Sequence, residues 1–232
     1  MGAKTWIVGV VAAATMVIGP GPAHGDPTPV DAATPAAEIA AEPAAADPID
    51  ELMARFNAMP GLYARFTESK TIGLLAVPLV NHGTLHYHPP GRLLRTIDAP
   101  HASQVLLLSD AIWLREGAAA PERVDLGSHP AVQSFVGSFR SLLAGDRKAL
   151  DAHFELSLAH DSADHWTLTL RPRSKAMARI VTKMTVSGDG ETVERLVVEE
   201  STGDVSDTHF VDVDPTRRYS EDEAARLFAP PA

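Results

Sequence analysis

Apolar and polar residues alternate with two different periods along this chain, and the first clear period is helical. Apolar side chains recur three and four positions apart at Ile49, Leu52, Met53 and Phe56. Asp47 suits the N-cap position and Pro48 the first turn, whereas Pro60 and the glycine after it end a helix. The pattern therefore predicts a helix at the start of the folded region.

From Leu62 the period becomes two, which is typical of strands with one buried face. The predicted strands cover residues 62–67, 83–87, 93–97, 104–109, 112–115, 153–159, 164–171, 179–187, 192–200 and 208–213. The segment 188–190, Gly-Asp-Gly, supplies the residues of a tight hairpin turn. Short connections of this kind predict an antiparallel meander.

A second amphipathic helix interrupts the predicted strands, with Ser128 as its N-cap and Gly145 as its terminator. Its apolar face consists of Val132, Phe135, Val136, Phe139 and Leu143. Ser220 and Glu223 form a capping-box pattern that predicts a small C-terminal helix. About ten strands without βαβ units indicate an α+β fold that is mainly β, with helices against one face of a curved sheet. Periodicity alone favours a closed core over a cavity between these layers.

The N-terminal 46 residues have no pattern of a folded domain. Residues 1–25 contain Lys4, an apolar run over residues 6–18 and a Gly-Pro-Gly-Pro breaker, which together predict a cleavable signal peptide. Residues 26–46 hold nine alanines and four prolines and predict a disordered tether. We therefore expect one domain over residues 47–232 in an exported, periplasmic protein without stable membrane insertion.

Composition narrows the function mainly by exclusion. The formal net charge of −10 and the lack of basic runs argue against nucleic acid as a partner. The chain contains no cysteine, so it has neither a lipobox nor a thiolate metal site. Nothing in the sequence indicates a cofactor, and a monomer is the expected state.

Motifs that carry catalytic chemistry are missing from the sequence, including Gly-x-Ser-x-Gly, Ser-x-x-Lys and phosphate-binding glycine loops. We expect no catalytic residue and therefore no enzyme. His82, His86 and His88 share one face of a predicted strand and could in principle bind a transition metal. They lie opposite Leu85 and Tyr87, so an exposed polar strand face is the favoured interpretation, with no metal.

Several short motifs, in their order and spacing, resemble the outer-membrane lipoprotein carrier protein (LolA-like) family. They are Leu62-Tyr63-Ala64-Arg65-Phe66-Thr67-Glu68, Gly83-Thr84-Leu85-x-Tyr87-x-Pro89-Pro90-Gly91-Arg92-Leu93, Asp98-Ala99-Pro100, Leu107-Leu108-Ser109-Asp110 with Trp113, Leu168-x-Leu170-x-Pro172 and Phe210-x-Asp212-Val213. The resemblance implies an unclosed antiparallel β-barrel, or half-barrel, whose concave face is covered by helices acting as a lid.

The same resemblance implies a hydrophobic cavity that shields acyl chains on the way from the inner to the outer membrane. The cavity lining it implies is Leu62, Phe66, Leu85, Tyr87, Leu93, Trp113 and Leu168. The lid residues it implies are Leu52, Phe56, Val132, Phe135, Val136 and Phe139. Implied partners are an acylated lipoprotein or a lipid-like cargo, an inner-membrane transporter and an outer-membrane acceptor.

The sequence departs from the family pattern at Pro89, which stands where the best-known carriers have an arginine implicated in closing the lid. This departure favours a divergent branch of the family and leaves several functions open. In the first hypothesis the protein carries a lipoprotein. In the second it carries a lipid, glycolipid or polyene product and works with an export pump. A non-catalytic periplasmic sensing or interaction module is a third hypothesis, and a lipid hydrolase is the weakest.

Overall fold

The computed structural model describes residues 47–128, 130–160, 162 and 164–231. The predicted signal peptide and the predicted tether lie outside the described residues. The strands are β1 (Leu62–Thr71), β2 (Leu79–His88), β3 (Arg92–Ala99), β4 (Ser103–Leu107), β5 (Ala111–Glu116), β6 (Glu122–Asp125), β7 (Phe154–His160), β8 (His165–Pro172), β9 (Val181–Asp189), β10 (Thr192–Glu200) and β11 (Val205–Asp214). The helices are α1 (Pro48–Ala58), α2 (Pro130–Leu143), α3 (Arg147–Asp151), α4 (Lys175–Ala178) and α5 (Glu221–Leu227).

The eleven strands form one antiparallel sheet in the order β6-β5-β4-β3-β2-β1-β11-β10-β9-β8-β7. The sheet is unclosed, with β6 at one edge and β7 at the other. β1 joins the two halves because it pairs with β2 on one side and with β11 on the other. The predicted mainly-β half-barrel with helices is therefore confirmed.

The main hydrophobic core lies on the concave face of the sheet. Inward side chains of the strands pack there against the apolar faces of α1, α2, α3 and α4. Strand alternation explains the burial, since Leu62, Ala64 and Phe66 in β1 are buried while Tyr63 and Arg65 between them are more exposed. Removing this apolar surface from water is the main force that holds the helices on the sheet.

α1 and α2 approach each other closely where α2 ends. A Cβ on Gly145 would lie 2.0 Å from the Met53 carbonyl oxygen and 2.6 Å from the Asn57 amide nitrogen. The φ of Gly145 is also positive, at 65°, so only glycine fits this end of the helix without strain. Asn57 completes the contact by donating a hydrogen bond from Nδ2 to the Ala144 carbonyl at 2.9 Å.

A second, smaller cluster lies on the convex face, where the C-terminal helix α5 covers part of the sheet. Leu94, Leu106, Ala224 and Phe228 are buried together, and Trp113 packs against them. The prediction that Trp113 lines the cavity is wrong. Ile112 belongs to the concave core, so its neighbour Trp113 must point to the opposite face.

Three local differences separate the structure from the sequence prediction. The short edge strand β6 was not predicted, because its sequence, Glu-Arg-Val-Asp, lacks a strand pattern. α4 was not predicted; it begins after Ser174, whose hydroxyl accepts from the Met177 amide, and β9 begins at Val181 and not at residue 179. Ser128 does not directly precede α2, because it ends a 3-10 helix and α2 begins at Pro130.

Candidate ligand-binding cavity

Two narrow clefts lie between the helices and the concave face of the sheet. The first, here called the α1 cleft, is lined only by apolar residues: Phe56, Met59, Leu62, Ala64, Leu85, Phe139, Leu142, Leu143, Val186, Val193, Leu196, Phe210 and Val213. The second, the α2 cleft, is lined by Phe66, Leu85, Leu93, Arg95, Phe135, Phe139, Met184, Leu196, Val198, Thr208 and Phe210. The two clefts are contiguous through the residues they share.

Both clefts are narrow in this structure, with a volume of about 40 Å³ each. Drug-sized ligands occupy pockets of roughly 300–1,000 Å³, so neither cleft accommodates an acyl chain as it stands. Four residues line both clefts, and Phe139 on α2 is the one of them that a helix supplies. An extended apolar guest fits here only if the helices move away from the sheet.

Four of the predicted lining residues contact these clefts: Leu62 lines the α1 cleft, Phe66 and Leu93 the α2 cleft, and Leu85 both. Two others, Tyr87 and Leu168, point to the same face but are buried in the packed core outside the cleft walls. Trp113 lies on the convex face, as described above.

The predicted lid residues all belong to α1 and α2 and face the concave core. Leu52, Val132 and Val136 are buried there, while Phe56, Phe135 and Phe139 also line the clefts. This arrangement places three aromatic rings between the helices and the sheet. Their role as a lid stays a prediction, since it requires movement.

α1 is tied to α3 by charged groups at its N-terminus. The Arg147 guanidinium lies 2.8 Å from carboxylate oxygens of both Asp47 and Asp50. Asp47 also accepts a hydrogen bond from the Ile49 amide, and this bond first, then Arg147, lowers the pKa of its carboxyl. The pairs are partly exposed, so their contribution to stability is small and salt-dependent.

α2 is held at the rim of the barrel by Arg140. Its guanidinium packs so closely on the β2–β3 turn that a Cβ on Gly91 would lie 2.5 Å from Arg140 Nε. Nη1 of the same side chain donates to the Ser109 carbonyl in the β4–β5 turn at 3.5 Å. Arg140 therefore makes the contacts between α2 and this rim of the sheet.

The concave face becomes polar toward the β1–β2 loop. Glu68 accepts hydrogen bonds there from Arg95 and Asn81 at 2.8 Å each, and from the Ser206 hydroxyl. Beside it, Lys70 Nζ lies 3.0 Å from Glu200 Oε1, and both of these side chains are buried. Each buried charge therefore has an opposite charge as its partner.

The two buried glutamates respond differently to this environment. Burial raises the pKa of Glu68, but Arg95, Ser206 and Asn81 outweigh burial and hold it below its ordinary value. Burial dominates at Glu200 and raises its pKa despite the attraction of Lys70. Arg95 also lies over the Phe66 ring, 4.5 Å from its centroid, at the boundary between the polar and apolar halves.

The three histidines lie on the outer face of β2, as their alternation with Leu85 and Tyr87 predicts. Two of them are only partly exposed, because Tyr219 contacts His86 and both Tyr219 and Phe228 contact His88. Burial, followed by the charge of Arg217, lowers the pKa of His86 and favours the neutral ring. No cluster of potential metal ligands is found among the residues that the structure describes.

Sequence reasoning missed part of the lining because β-bulges change which residues point inward. Val193 and Leu196 are three positions apart, yet both line the α1 cleft, because the register of β10 shifts between Val193 and Arg195. Phe210 and Val213 in β11 behave likewise, with Asp212 between them at a φ of 51°. Strict alternation cannot identify such pairs.

Comparison with known families agrees with this architecture. The model of the family described as outer membrane lipoprotein carrier protein LolA-like matches residues 40–220, which is more than half of the chain. The chain belongs to this LolA-like family. The resemblance found in the sequence is thereby confirmed.

Several solved structures are similar at low identity. A LolA superfamily protein from Nitrosomonas europaea is 11% identical, covers 76% of this chain and 96% of its own, and has a TM-score of 0.43. A DUF1329 family protein from Desulfovibrio piger is 13% identical, with coverages of 78% and 94% and a TM-score of 0.45. A chain of the Pseudomonas aeruginosa MucA/MucB complex is 12% identical, covers 75% of this chain and 59% of its own, and has a TM-score of 0.42. A comparison with curated proteins returns no match.

Within the described part of the chain, no helix has the length and apolarity needed to cross a bilayer.

Proposed function

We propose that this protein is a non-catalytic periplasmic carrier that shields the acyl chain of a lipoprotein or of another lipid-like cargo between the inner and outer membranes. The observation that carries the proposal is the α1 cleft, lined by thirteen residues that are all apolar, under helices of a LolA-like half-barrel. An inner-membrane transporter would load the cargo and an outer-membrane acceptor would receive it.

The energetics suit a shielded guest. Burying one methylene contributes ~0.8 kcal/mol, so a long acyl chain does not diffuse through water unprotected. The clefts are narrower than an acyl chain requires, with a volume of about 40 Å³ each. We propose that α1 and α2 move apart from the sheet when the chain enters, with Phe139 displaced because it is the helix side chain that lines both clefts.

Native mass spectrometry of the protein purified from its own host tests the proposal. The expected result is an additional mass that dissociates as an acylated peptide or as a lipid. An acylated peptide assigns lipoprotein cargo, whereas a small lipid assigns the alternative cargo. Protein that carries no adduct and binds no acyl ligand added in vitro would contradict a carrier function altogether.

A variant separates cavity binding from binding at the surface. Phe66→Ala removes a ring from the floor of the α2 cleft, so we expect it to weaken binding of a fluorescent acyl probe. Thr182→Ala is the control, since Thr182 is exposed on β9 and lines neither cleft. Equal binding by both variants and the unmodified protein would place the probe outside the clefts.

A further inference from the structure

The concave face changes from apolar to polar in four neighbouring strands, at one level in β2, β1 and β11 and two inward positions later in β10. Away from the lid, the inward side chains change from Leu85 to Asn81 in β2, from Phe66 to Glu68 and Lys70 in β1, from Phe210 to Thr208 and Ser206 in β11, and from Val198 to Glu200 in β10. A purely hydrocarbon cargo would form no hydrogen bonds with the polar half of this face. A surface with this gradient matches a molecule that has a tail and a head.

A separate open pocket lies at the polar end, and it is here called the loop pocket. It has a volume of about 310 Å³ and is lined by Glu68, Lys70, Ile72, Leu74, Leu75, Leu79, Asn81, Arg95, Ile97 and His101. This volume reaches the lower end of the ~300–1,000 Å³ range of ligand pockets. Leu74 is 97% exposed and Leu75 51% exposed, so its apolar wall is unusually open to water.

The loop pocket and the α2 cleft meet at Arg95, which lines both. The guanidinium bonds to Glu68 on the polar side and lies over the Phe66 ring on the apolar side. A ligand with its tail in the α2 cleft can therefore place its head in the loop pocket by passing a single side chain.

The floor of the loop pocket contains an acceptor that lacks a partner. Asn81 is only 2% exposed, and its Nδ2 donates to Glu68. Its Oδ1 is buried and has no hydrogen-bond partner among the described residues. A buried polar atom left unpaired costs about 1–3 kcal/mol, and a donor on a ligand would remove that cost.

The charges of the floor decide what kind of head fits. Glu68 and Glu200 are balanced by Arg95 and Lys70, so the buried network has no spare positive charge to neutralise an anionic head. An added carboxylate or phosphate at Asn81 would lie beside the Glu68 carboxylate without a positive partner of its own. An uncharged head with O–H or N–H donors meets no such cost and satisfies Asn81.

We propose that the loop pocket holds the head of an amphiphilic cargo, and that this head is uncharged and donates a hydrogen bond to Asn81. The proposal deepens the carrier function proposed above and rests on it. The hydroxyls of a neutral lipid and the amide of an acylated peptide share this chemistry. A fatty acid anion and a headless ester lack it.

Competition against a fluorescent acyl dye tests this with probes that share one palmitoyl chain. Monopalmitin carries hydroxyl donors, methyl palmitate has no donor, palmitate is charged, and N-palmitoyl glycinamide carries amide donors. We expect both donor-bearing probes to bind more tightly than the other two. The tighter of the donor-bearing pair then indicates a lipid or a peptide as the source of the head.

Two variants identify the residue responsible. Asn81→Ala should weaken monopalmitin binding about fivefold to tenfold, the effect of one hydrogen bond, and leave methyl palmitate unchanged. Ser206→Ala is a matched control, because Ser206 also donates to Glu68 but does not line the loop pocket. It should leave the ratio of the two affinities unchanged.

A photo-cross-linking experiment on the unmodified protein does not depend on the stability of a variant. Monopalmitin with a diazirine on its glycerol head should label residues 72–79. Labelling of the opposite rim, around residues 89–92, would overturn the proposal, as would equal affinity for monopalmitin and methyl palmitate. Failure of all four probes to bind would instead contradict the carrier function itself.

Discussion

At the scale of single residues, the buried carboxyl of Glu68 organises the polar half of the concave face. Its two oxygens accept from Arg95, Asn81 and Ser206, which belong to three different strands. Charge-assisted hydrogen bonds of this kind are stronger than neutral ones, and the surrounding low dielectric strengthens them further. One ionised group thereby fixes how β3, β2 and β11 present their polar side chains around β1.

Replacing this carboxyl should make the free energy of unfolding less dependent on pH in the acidic range. Because the folded pKa of Glu68 lies below its ordinary value of 4.5, the ionised form stabilises the fold above that pH. This contribution disappears as the pH falls through the folded pKa. We expect Glu68→Gln to lose about 3–5 kcal/mol at neutral pH, because Arg95 is left unpaired, and this difference to narrow in acid as Glu68 becomes protonated.

Urea unfolding from pH 7 to pH 3 measures both free-energy curves. Glu51→Gln is the control, because Glu51 is exposed on α1 and takes no part in the buried network. Its curve should run parallel to that of the unmodified protein. A constant difference between Glu68→Gln and the unmodified protein across this range would contradict the assigned role of Glu68.

At the scale of elements, α2 decides how much space lies under the helices. Phe139 is half-buried, and among the four residues that line both clefts it is the one supplied by a helix. We expect Phe139→Ala to join the clefts and to increase the affinity for a fluorescent acyl probe. The loss of stability should stay below the ~3–5 kcal/mol of a fully buried phenylalanine.

The same assay with Phe228→Ala provides the comparison, since that ring packs on the convex face. It should lose stability without gaining affinity for the probe. Cooperative unfolding must be verified for both variants, because a loosened core also binds hydrophobic dyes. Affinity that rises equally in both would show that general loosening, and not the joined cleft, is responsible.

The C-terminal helix α5 depends on the opposite face of the sheet. Trp113 packs there with Ala224 and Phe228. We therefore expect Trp113→Ala to speed amide hydrogen exchange in residues 224–228, because α5 loses a large apolar contact. The affinity for the acyl probe should remain unchanged. A loss of affinity would contradict the convex-face position of Trp113 and support its place in the cavity lining.

At the scale of the whole molecule, the alternation of apolar and polar residues was enough to predict the fold class and most of the inward-facing positions. It fails where both faces of a strand are buried. β5 contains the continuous apolar run Ala111-Ile112-Trp113-Leu114, so its two faces cannot be told apart by polarity. Both faces are in fact covered, by the concave core and by α5. Sequence reasoning assigned Trp113 to the wrong face because it gave the C-terminal helix no partner.

The polar half of the concave face was inaccessible to sequence reasoning for a related reason. Glu68 and Lys70 continue the inward series of Leu62, Ala64 and Phe66, yet charged residues in a strand normally indicate the solvent face. Only the pairing of strands distant in sequence brings Glu200 within 3.0 Å of Lys70. This pairing of opposite charges depends on tertiary structure and cannot be predicted from the sequence pattern. The same holds for the loop pocket, which Glu68 and Lys70 line.

Loading an acyl chain requires the helices to move. The narrow clefts hold about 40 Å³ each, so binding an acyl chain must displace α2 from the sheet. The chain contains no cysteine, which allows spin labels at Gln133 on α2 and at Arg171 on β8, both exposed. Double electron–electron resonance should show a longer or broader distance distribution when a palmitoyl ligand is added. A pair at Arg171 on β8 and exposed Arg65 on β1, four strands apart in the same sheet, should not change. An unaltered Gln133–Arg171 distribution in ligand-saturated protein would mean that the acyl chain binds without opening the helices.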